Sequence, residues 1–457
     1  MTIAGSNADG EPRDITLHGA YFQVKQGARL ILHNIRDTIG LLDFSTKQSL
    51  FFVNEGSSLE LIGPGSYSNS GANPADLGGV IYNHRGRVTI EGADIQGSQA
   101  VQQGGAIFND DGTVQISSAL DTNGHPISSH ISNNSAPTGA GIYSAGGNST
   151  LVIADAFLTG NQATSDGGAI FLDSGSGRSG AALSLTRTTI SGNHASSGAG
   201  VHSQNFATMA ISQSTVSGNQ AADRGVGGGL AVADSLLRVD RSTFESNSAG
   251  NGGAMYIVSV SAAGITRSLF DGNKAASSPS GAIEDTNAEL VRANALTIVN
   301  STFFGEHDFL VLDQGPARII SSTFVDAGVR AVSPLASVRL RNTILQGSSG
   351  CSGNLSSFTD AGHNLQFPGT GCPATVSKKS PGLDLANGLR DNGGPTRTIG
   401  LLQRSPAIDG VPLNKCTDQS GNQLKTDQRG FKRPAPKHKA CDIGAFELGA
   451  ASPPRRR

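Results

Sequence analysis

The sequence predicts an all-β solenoid, a parallel β-helix, on three observations: a line of residues that repeats, short alternating runs inside each repeat, and a composition made for turns. A Gly pair followed by Ala and an aliphatic residue stands at Gly104-Gly105-Ala106-Ile107, Gly167-Gly168-Ala169-Ile170 and Gly252-Gly253-Ala254-Met255. Looser copies stand at Gly78, Gly139, Gly198, Gly227 and Gly281. Before most of them a strand-like run ends in Asn-x-Ala, at Asn134, Asn161, Asn193, Asn219, Asn247 and Asn273. A period of ~26–32 residues belongs to solenoids, propellers and arrays. Gly reaches 61 of 457 residues, and charged residues only 15% against about 25% in an ordinary domain. Ser, Thr, Asn and Gly must then form most of the polar surface, and they suit turns and short strands better than helix interiors.

One unit shows the elements in order. Leu183 and Leu185 alternate with polar residues, Ile190 ends a second run at Asn193-His194-Ala195, and Gly198-Ala199-Gly200-Val201 opens a third. Alternation over a few residues argues for strands, and the Gly, Asn and Ser between them for turns. Three short strands per repeat match one coil of a parallel β-helix. A propeller blade needs a longer period and four strands. The repeated Asn residues are read as a structural ladder, with side-chain amides hydrogen-bonding from coil to coil. The Gly pairs are read as positive-φ turns or as room for close approach.

Repeats are clearest over residues 78–285. Earlier, Ile15-Thr16-Leu17, Leu30-Ile31-Leu32, Leu50-Phe51-Phe52 and Leu59-Glu60-Leu61 predict less regular coils. Later, Ser301-Thr302-Phe303, Ser322-Thr323-Phe324 and Asn342-Thr343-Ile344 predict tighter coils that have lost the Asn-x-Ala and Gly-Gly turns. Insertions at 120–128 and 172–181 are expected to project from one edge. The Ser-Thr-Phe-x-x-Asn-x-Ala and Gly-Gly-Ala-Ile combination resembles the repeats of polymorphic outer-membrane proteins and related right-handed β-helix surface proteins. The resemblance covers about half of the chain. It implies a right-handed, pectin-lyase-like β-helix over residues 1–346.

From residue 347 the texture changes, and Cys351, Cys372, Cys416 and Cys441 all fall there. An even count without a Cys-x-x-Cys pair predicts two disulfides and an oxidising compartment rather than a zinc site. Three pairings are open; the local pairs Cys351–Cys372 and Cys416–Cys441 are favoured. Asp391-Asn392-Gly393-Gly394-Pro395-Thr396, Ser405-Pro406-Ala407-Ile408-Asp409, Asp427-Gln428-Arg429-Gly430, Arg433-Pro434 and Cys441-Asp442-Ile443-Gly444-Ala445-Phe446-Glu447 resemble the choice-of-anchor module, type Q, of bacterial surface proteins. The segments are therefore a solenoid over 1–346, an anchor-like cap over 347–449, and a basic tail over 450–457 ending Arg455-Arg456-Arg457. No apolar helix or sortase-type motif follows Glu447, so release or non-covalent attachment is expected.

Lys plus Arg is 34 and Asp plus Glu is 36, giving a formal charge of −2, and no basic stripe points to nucleic acid. No apolar run is long enough for a transmembrane helix. Residues 1–14, with Gly5, Asn7, Asp9, Gly10 and Pro12, read neither as an export signal nor as a solenoid cap, and an export signal upstream of Met1 is expected.

Catalysis on this fold needs carboxylates at one angular position on adjacent coils, or Asp-bound Ca²⁺ with a base. Asp94, Asp155 and Asp240 lie near the start of the Asn-ending run, but other coils carry Thr188, Ser214 and Ser268 there, so this is read as an outward polar position. Asp110-Asp111-Gly112 reads as a turn, His363 lies in the cap, and Gly175-Ser176-Gly177 is a degenerate nucleophile motif in a loop. Asp409, Asp427, Asp442 and Glu447 form a candidate Ca²⁺ cluster, read instead as turn caps and partners of Arg429 or Arg433; no cofactor is assigned. Two functions remain. One is an exported cell-surface or secreted scaffold for adhesion, its ligand a polysaccharide or a host or neighbour-cell component. The other is a polysaccharide lyase or glycoside hydrolase. The missing carboxylate cluster favours the scaffold.

Overall fold

The structure is a computed structural model. It describes residues 2–4, 22–25, 27–33, 48–69, 74–175, 180–259, 262–277, 281–286, 296–307, 309–436 and 438–450. The run expected at 15–17, residues 5–14 and the tail at 455–457 lie outside them. Two compact units are present: Met1–Ala210 with Ser214–Leu236, and Ile211–Gln213 with Leu237–Arg457.

In the first unit the coils contribute strands to three main parallel stacks, and Ser135–Ala136, Gln162–Ala163, His194–Ala195 and Gln220–Ala221 form a fourth, two-residue stack. The first stack runs Phe22–Val24, Phe51–Val53, Ile81–His84, Ile107–Asp110, Ile142–Ala145, Ile170–Asp173, Val201–Gln204 and Leu230–Ala233. The second includes Arg29–His33, Ser58–Ile62, Arg87–Glu91, Thr113–Ser117, Thr150–Ala154 and Ala182–Thr186. The third includes Asp94–Gln96, Ser129–Ser132, Ala156–Thr159, Thr189–Ser191 and Thr215–Ser217. Within each strand apolar residues alternate inward, so Ile81, Ile107, Ile142, Ile170 and Val201 stack with no exposed surface. The insertion after Ala119 folds as a hairpin of Ala119–Leu120 with Pro126–Ile127.

The Gly pair serves two ends. Gly167 has φ +68°, and a Cβ there would stand 2.7 Å from Ile170 O. At Gly168 a Cβ would stand 2.7 Å from His194 O of the next coil. The first Gly permits the left-handed turn, and the second lets the coils approach.

Within the second unit the strands also stack in parallel, coil on coil. Phe244, Phe270, Phe303 and Phe324 form an inward column with ring centroids 5.1, 4.6 and 4.5 Å apart. Parallel pairing runs past residue 346: Cys351–Gly353 pairs with Val329–Ala331, Phe358–Asp360 with Ala336–Arg341, and Leu365–Pro368 with Ile344–Gly347. The last coil is thus built from the segment where the repeat texture had ended.

Residues beyond this coil carry little regular structure, and they cover the outward side of the third stack. Val325, Ile344 and Leu365 form one buried cluster with Leu383, Ile399, Leu401, Val411, Ile443 and Phe446. Thr302 Oγ1 donates to Gln428 Oε1 at 2.6 Å, and Ala445 N–H donates to Thr323 Oγ1 at 3.0 Å. One Arg397 nitrogen reaches Glu245 at 2.9 Å and Asp271 at 2.8 Å. Disulfides join Cys351 to Cys372 and Cys416 to Cys441. No α-helix occurs among the described residues.

Candidate functional site

Strand alternation in the first stack of the first unit sends one residue per coil outward between two inward ones. The parallel register aligns Gln23, Phe52, Tyr82, Phe108, Tyr143, Phe171 and His202 at this position. Successive centroids from Phe52 to His202 lie 4.7, 5.1, 5.2, 5.1 and 4.9 Å apart, close to the spacing of adjacent strands. Phe108, Tyr143 and Phe171 lie within 6° of parallel and keep only 6–8% of their surface exposed. Their faces cover one another, so the electropositive ring edges point outward.

A polar row runs beside the column at the ends of the same strands. It comprises His84, Asp110, Ala145, Asp173 and Gln204 in register. His84 Nδ1 lies 2.7 Å from Asp110 Oδ2. Asp173 accepts from Gly175 N–H at 2.8 Å, Asn205 Nδ2 at 2.7 Å and Gln204 Nε2 at 3.1 Å. Burial and the Asp173 carboxylate push the Tyr143 phenol up to about 12, and burial with Asp110 also raises Tyr82. Both phenols therefore stay neutral donors. Burial depresses His202 despite the Asp166 and Asp173 carboxylates, and its Nδ1 makes no hydrogen bond.

The column breaks at Tyr82. Its ring stands 66° from Phe52 and 89° from Phe108. There a cavity of about 290 Å³ opens, lined by Gln23, Gln48, Ser49, Phe52, Asp76, Leu77 and Tyr82. The arrangement joins apolar ring surface to amides, a hydroxyl and a carboxylate, the mixture that orients a polar ligand in a concave site.

The residues singled out from sequence fall elsewhere. In the first unit Asn134 Nδ2 donates to Asn161 Oδ1 at 3.0 Å, Asn161 Nδ2 to Asn193 Oδ1 at 2.9 Å, and Asn193 Nδ2 to Asn219 Oδ1 at 2.8 Å. In the second unit Asn247 Nδ2 donates to Asn273 Oδ1 at 2.9 Å. All six are fully buried. Asp155 pairs with Arg187 at 2.6 Å and Asp240 with Arg267 at 2.8 Å on the outer surface. Asp94 lies in register with His130, and its carboxyl is raised by burial.

Asp409, Asp427, Asp442 and Glu447 are linked through backbone donors, Glu447 N–H to Asp427 at 3.1 Å and Asp442 N–H to Glu447 at 3.0 Å, and differ in their side-chain partners. Asp427 binds Arg429 at 2.7 Å, and Arg429 lies over the rings of Phe431 and Phe446. Glu447 sits 3.0 Å from Arg433, both wholly buried, and burial raises its carboxyl to about 7. Asp442 accepts from Asp409 N–H and Leu448 N–H, while Asp409 faces His438 at 3.0 Å. Of these groups Asp409, His438 and Asp442 come close enough together to offer one ligand atom each.

The aromatic column was not found from sequence. Its signal was the residue after each repeated aliphatic: Tyr82, Phe108, Tyr143, Phe171 and His202. Glu245 and Asp271, in register on adjacent coils, were also missed.

Residues 155–173 match the family model described as the Chlamydia polymorphic membrane protein (Chlamydia_PMP) repeat. That stretch holds the part of one unit from the turn at Asp155 through Asn161 and Gly167-Gly168 to the strand Ile170–Asp173, with a third-stack and a first-stack strand but none of the second stack. No curated protein and no solved structure matches the chain. The chain is thus an all-β parallel solenoid that carries a repeat of the polymorphic-membrane-protein type. No helix among the described residues is long and apolar enough to cross a membrane.

Proposed function

We infer that this protein is an exported bacterial surface or secreted scaffold that holds polysaccharide along the outward column of its first unit, without cleaving it. The single observation that carries this reading is the aligned run Phe52, Tyr82, Phe108, Tyr143, Phe171 and His202 beside carboxylates and amides. Ring edges meet sugar oxygens, and Asp and Gln side chains meet hydroxyls. The matched repeat supports a surface setting, and the two disulfides suit an oxidising compartment. The segment after residue 369, with its buried Asp427–Arg429 and Glu447–Arg433 pairs, acts in this reading as a choice-of-anchor-type cap. The carboxylates beside the column, Asp110 and Asp173, are taken up by His84 and by Gly175 N–H, Gln204 and Asn205, which supports binding over acid–base chemistry.

Affinity electrophoresis in gels cast with neutral, N-acetylated and acidic polysaccharides, with and without Ca²⁺, tests this. Retardation is expected without new reducing ends, and Tyr143→Leu/Phe171→Leu should lessen it. Cleavage products, or no retardation in any gel, would overturn the reading.

A further inference from the structure

We propose that Lys378 and Gln366 condense into an isopeptide bond with release of ammonia, and that this bond clasps the last coil to the segment that follows it. The bond is independent of the saccharide reading. The register places Gln366 where an amide is out of character. Phe303, Phe324, Leu345 and Gln366 are successive partners on adjacent coils, so the inward apolar column ends on a polar side chain. Gln366 has no exposed surface. An amide in that place costs free energy unless its polar atoms are hydrogen-bonded.

Only its oxygen is satisfied. Gln366 Oε1 accepts from Cys372 N–H at 2.9 Å and from Lys378 Nζ at 2.9 Å. Nε2 is buried and meets no acceptor among the described residues. Turning the amide over would set its NH₂ group against two donors, so these partners fix the place of the oxygen. Two glycines leave the room beside Nε2: a Cβ at Gly350 or at Gly369 would stand 2.6 Å from it. Lys378 is held at the carbonyl by a second bond, Nζ to Cys372 O at 3.3 Å. The Gln366 backbone N–H donates to Ser377 O at 2.9 Å, one residue before Lys378. Cys372 is in turn tied to Cys351. Amine and amide are thus brought together by the fold, which lowers the entropic cost of condensing them.

The step needs no other reactant. Lys378 Nζ gives up a proton and adds to Gln366 Cδ. The Cδ–Nζ bond forms, the Cδ–Nε2 bond breaks, and Nε2 departs as ammonia with that proton, so an ammonium and a carboxamide become a secondary amide and an ammonium ion. Burial lowers the pKa of the Lys378 amine, with the Asp360 carboxylate opposing, and the lowering favours the free, nucleophilic amine. Cys372 N–H already donates to the oxygen that gains charge during addition. The departing nitrogen is the atom without an acceptor, so condensation removes the buried orphan.

Intact-mass spectrometry of the reduced full chain, with fragmentation of its peptides, tests the bond. The chain should be lighter than its sequence by one ammonia, and a branched peptide should join Gln366 to Lys378. Lys378→Arg keeps a cationic donor but lacks the nucleophilic amine, and should carry its full sequence mass. Full sequence mass in the unaltered folded chain would overturn the proposal. Ammonia lost without the branched peptide, as in succinimide formation at Asn123-Gly124, would overturn it too, and so would a loss that persists in Lys378→Arg.

Discussion

Replacing Asn161 by Ala tests whether the Asn stack holds the coils together. Asn161 has no exposed surface. Its Oδ1 accepts from Asn134 N–H at 3.1 Å and from Asn134 Nδ2 at 3.0 Å. Its Nδ2 donates to Ile131 O at 3.0 Å and to Asn193 Oδ1 at 2.9 Å. Truncation removes all four bonds, but the consequences differ. Asn193 Oδ1 keeps the Asn161 backbone N–H at 2.9 Å, and Asn134 Nδ2 keeps Ile95 O at 3.2 Å. Asn134 N–H loses its side-chain partner, while Ile131 O keeps the Thr159 N–H that the parallel ladder gives it. A buried group left unpaired costs about 1–3 kcal/mol, so the variant should lose about 1–3 kcal/mol. That is a large part of the ~5–15 kcal/mol that ordinarily separates folded from unfolded chains.

Urea denaturation gives the total, and hydrogen exchange at the Asn134 amide gives the location. Contacts in a solenoid are between neighbours, so faster exchange should centre on the coils of Ile131 and Asn161. Gln162→Ala, at an exposed neighbouring position, should change stability by less than about 0.5 kcal/mol. A loss below about 1 kcal/mol in Asn161→Ala, with Asn134 as protected as before, would refute the ladder as an energetic element.

Two further outcomes follow from the same structure. Cys416→Ser/Cys441→Ser opens a link between residues 25 apart in sequence and should cost about 3 kcal/mol, read as earlier exchange at Val411 and Ile443 with the Phe244–Phe270 coils still protected; uniform loss through the second unit would contradict a local role. Burial holds His202 below its ordinary pKa of 6.5, so the unfolded chain binds its proton first, and the stabilising contribution is complete above pH 6.5 and lost as pH falls below it. His202→Phe should therefore flatten the melting temperature between pH 7 and pH 5 relative to the unaltered chain, and an equal acid-side slope in both would refute it.

The solenoid was legible because its causes are local and repeated. Gly167 and Gly168 answer to a left-handed turn and a close approach, and a sequence cannot hide such requirements when every coil has them. The Asn positions were legible for the same reason. The column was not, because its position accepts Tyr, Phe or His, and only the direction of the preceding Ile fixes which side it faces. Asp110 and Asp173 stand at strand ends, where an aspartate reads as a turn residue. The last coil was obscured in another way: Cys351–Gly353 and Phe358–Asp360 carry strand hydrogen bonds without repeat residues.

The cap explains a change of pattern that periodicity alone leaves unaccounted for. In the first unit the outward positions of the third stack include Thr189, Ser191, Thr215 and Ser217, which water can satisfy. In the second unit the outward positions become Phe304, Val325 and Ile344, while Phe303, Phe324 and Leu345 already fill the interior beside them. A strand apolar on both sides must be covered on both sides, as in buried parallel sheets. The cover is the segment from Leu383 to Phe446, which brings Ile399, Leu401 and Ile443 against those residues and meets Thr302 and Thr323 with its own polar groups. Loss of alternation in the later coils is therefore the imprint of the cap on the solenoid. The outward aromatic column of the first unit is met by Leu77, which packs on Phe108, Tyr143 and Phe171, and by Gln103, which hydrogen-bonds the Tyr143 side chain, while the His84–Asp110 pair and the Asp173 bonds order its flank. Apolar outward residues thus take a long internal cover in the second unit and, in the first, a stack of rings edged by polar groups.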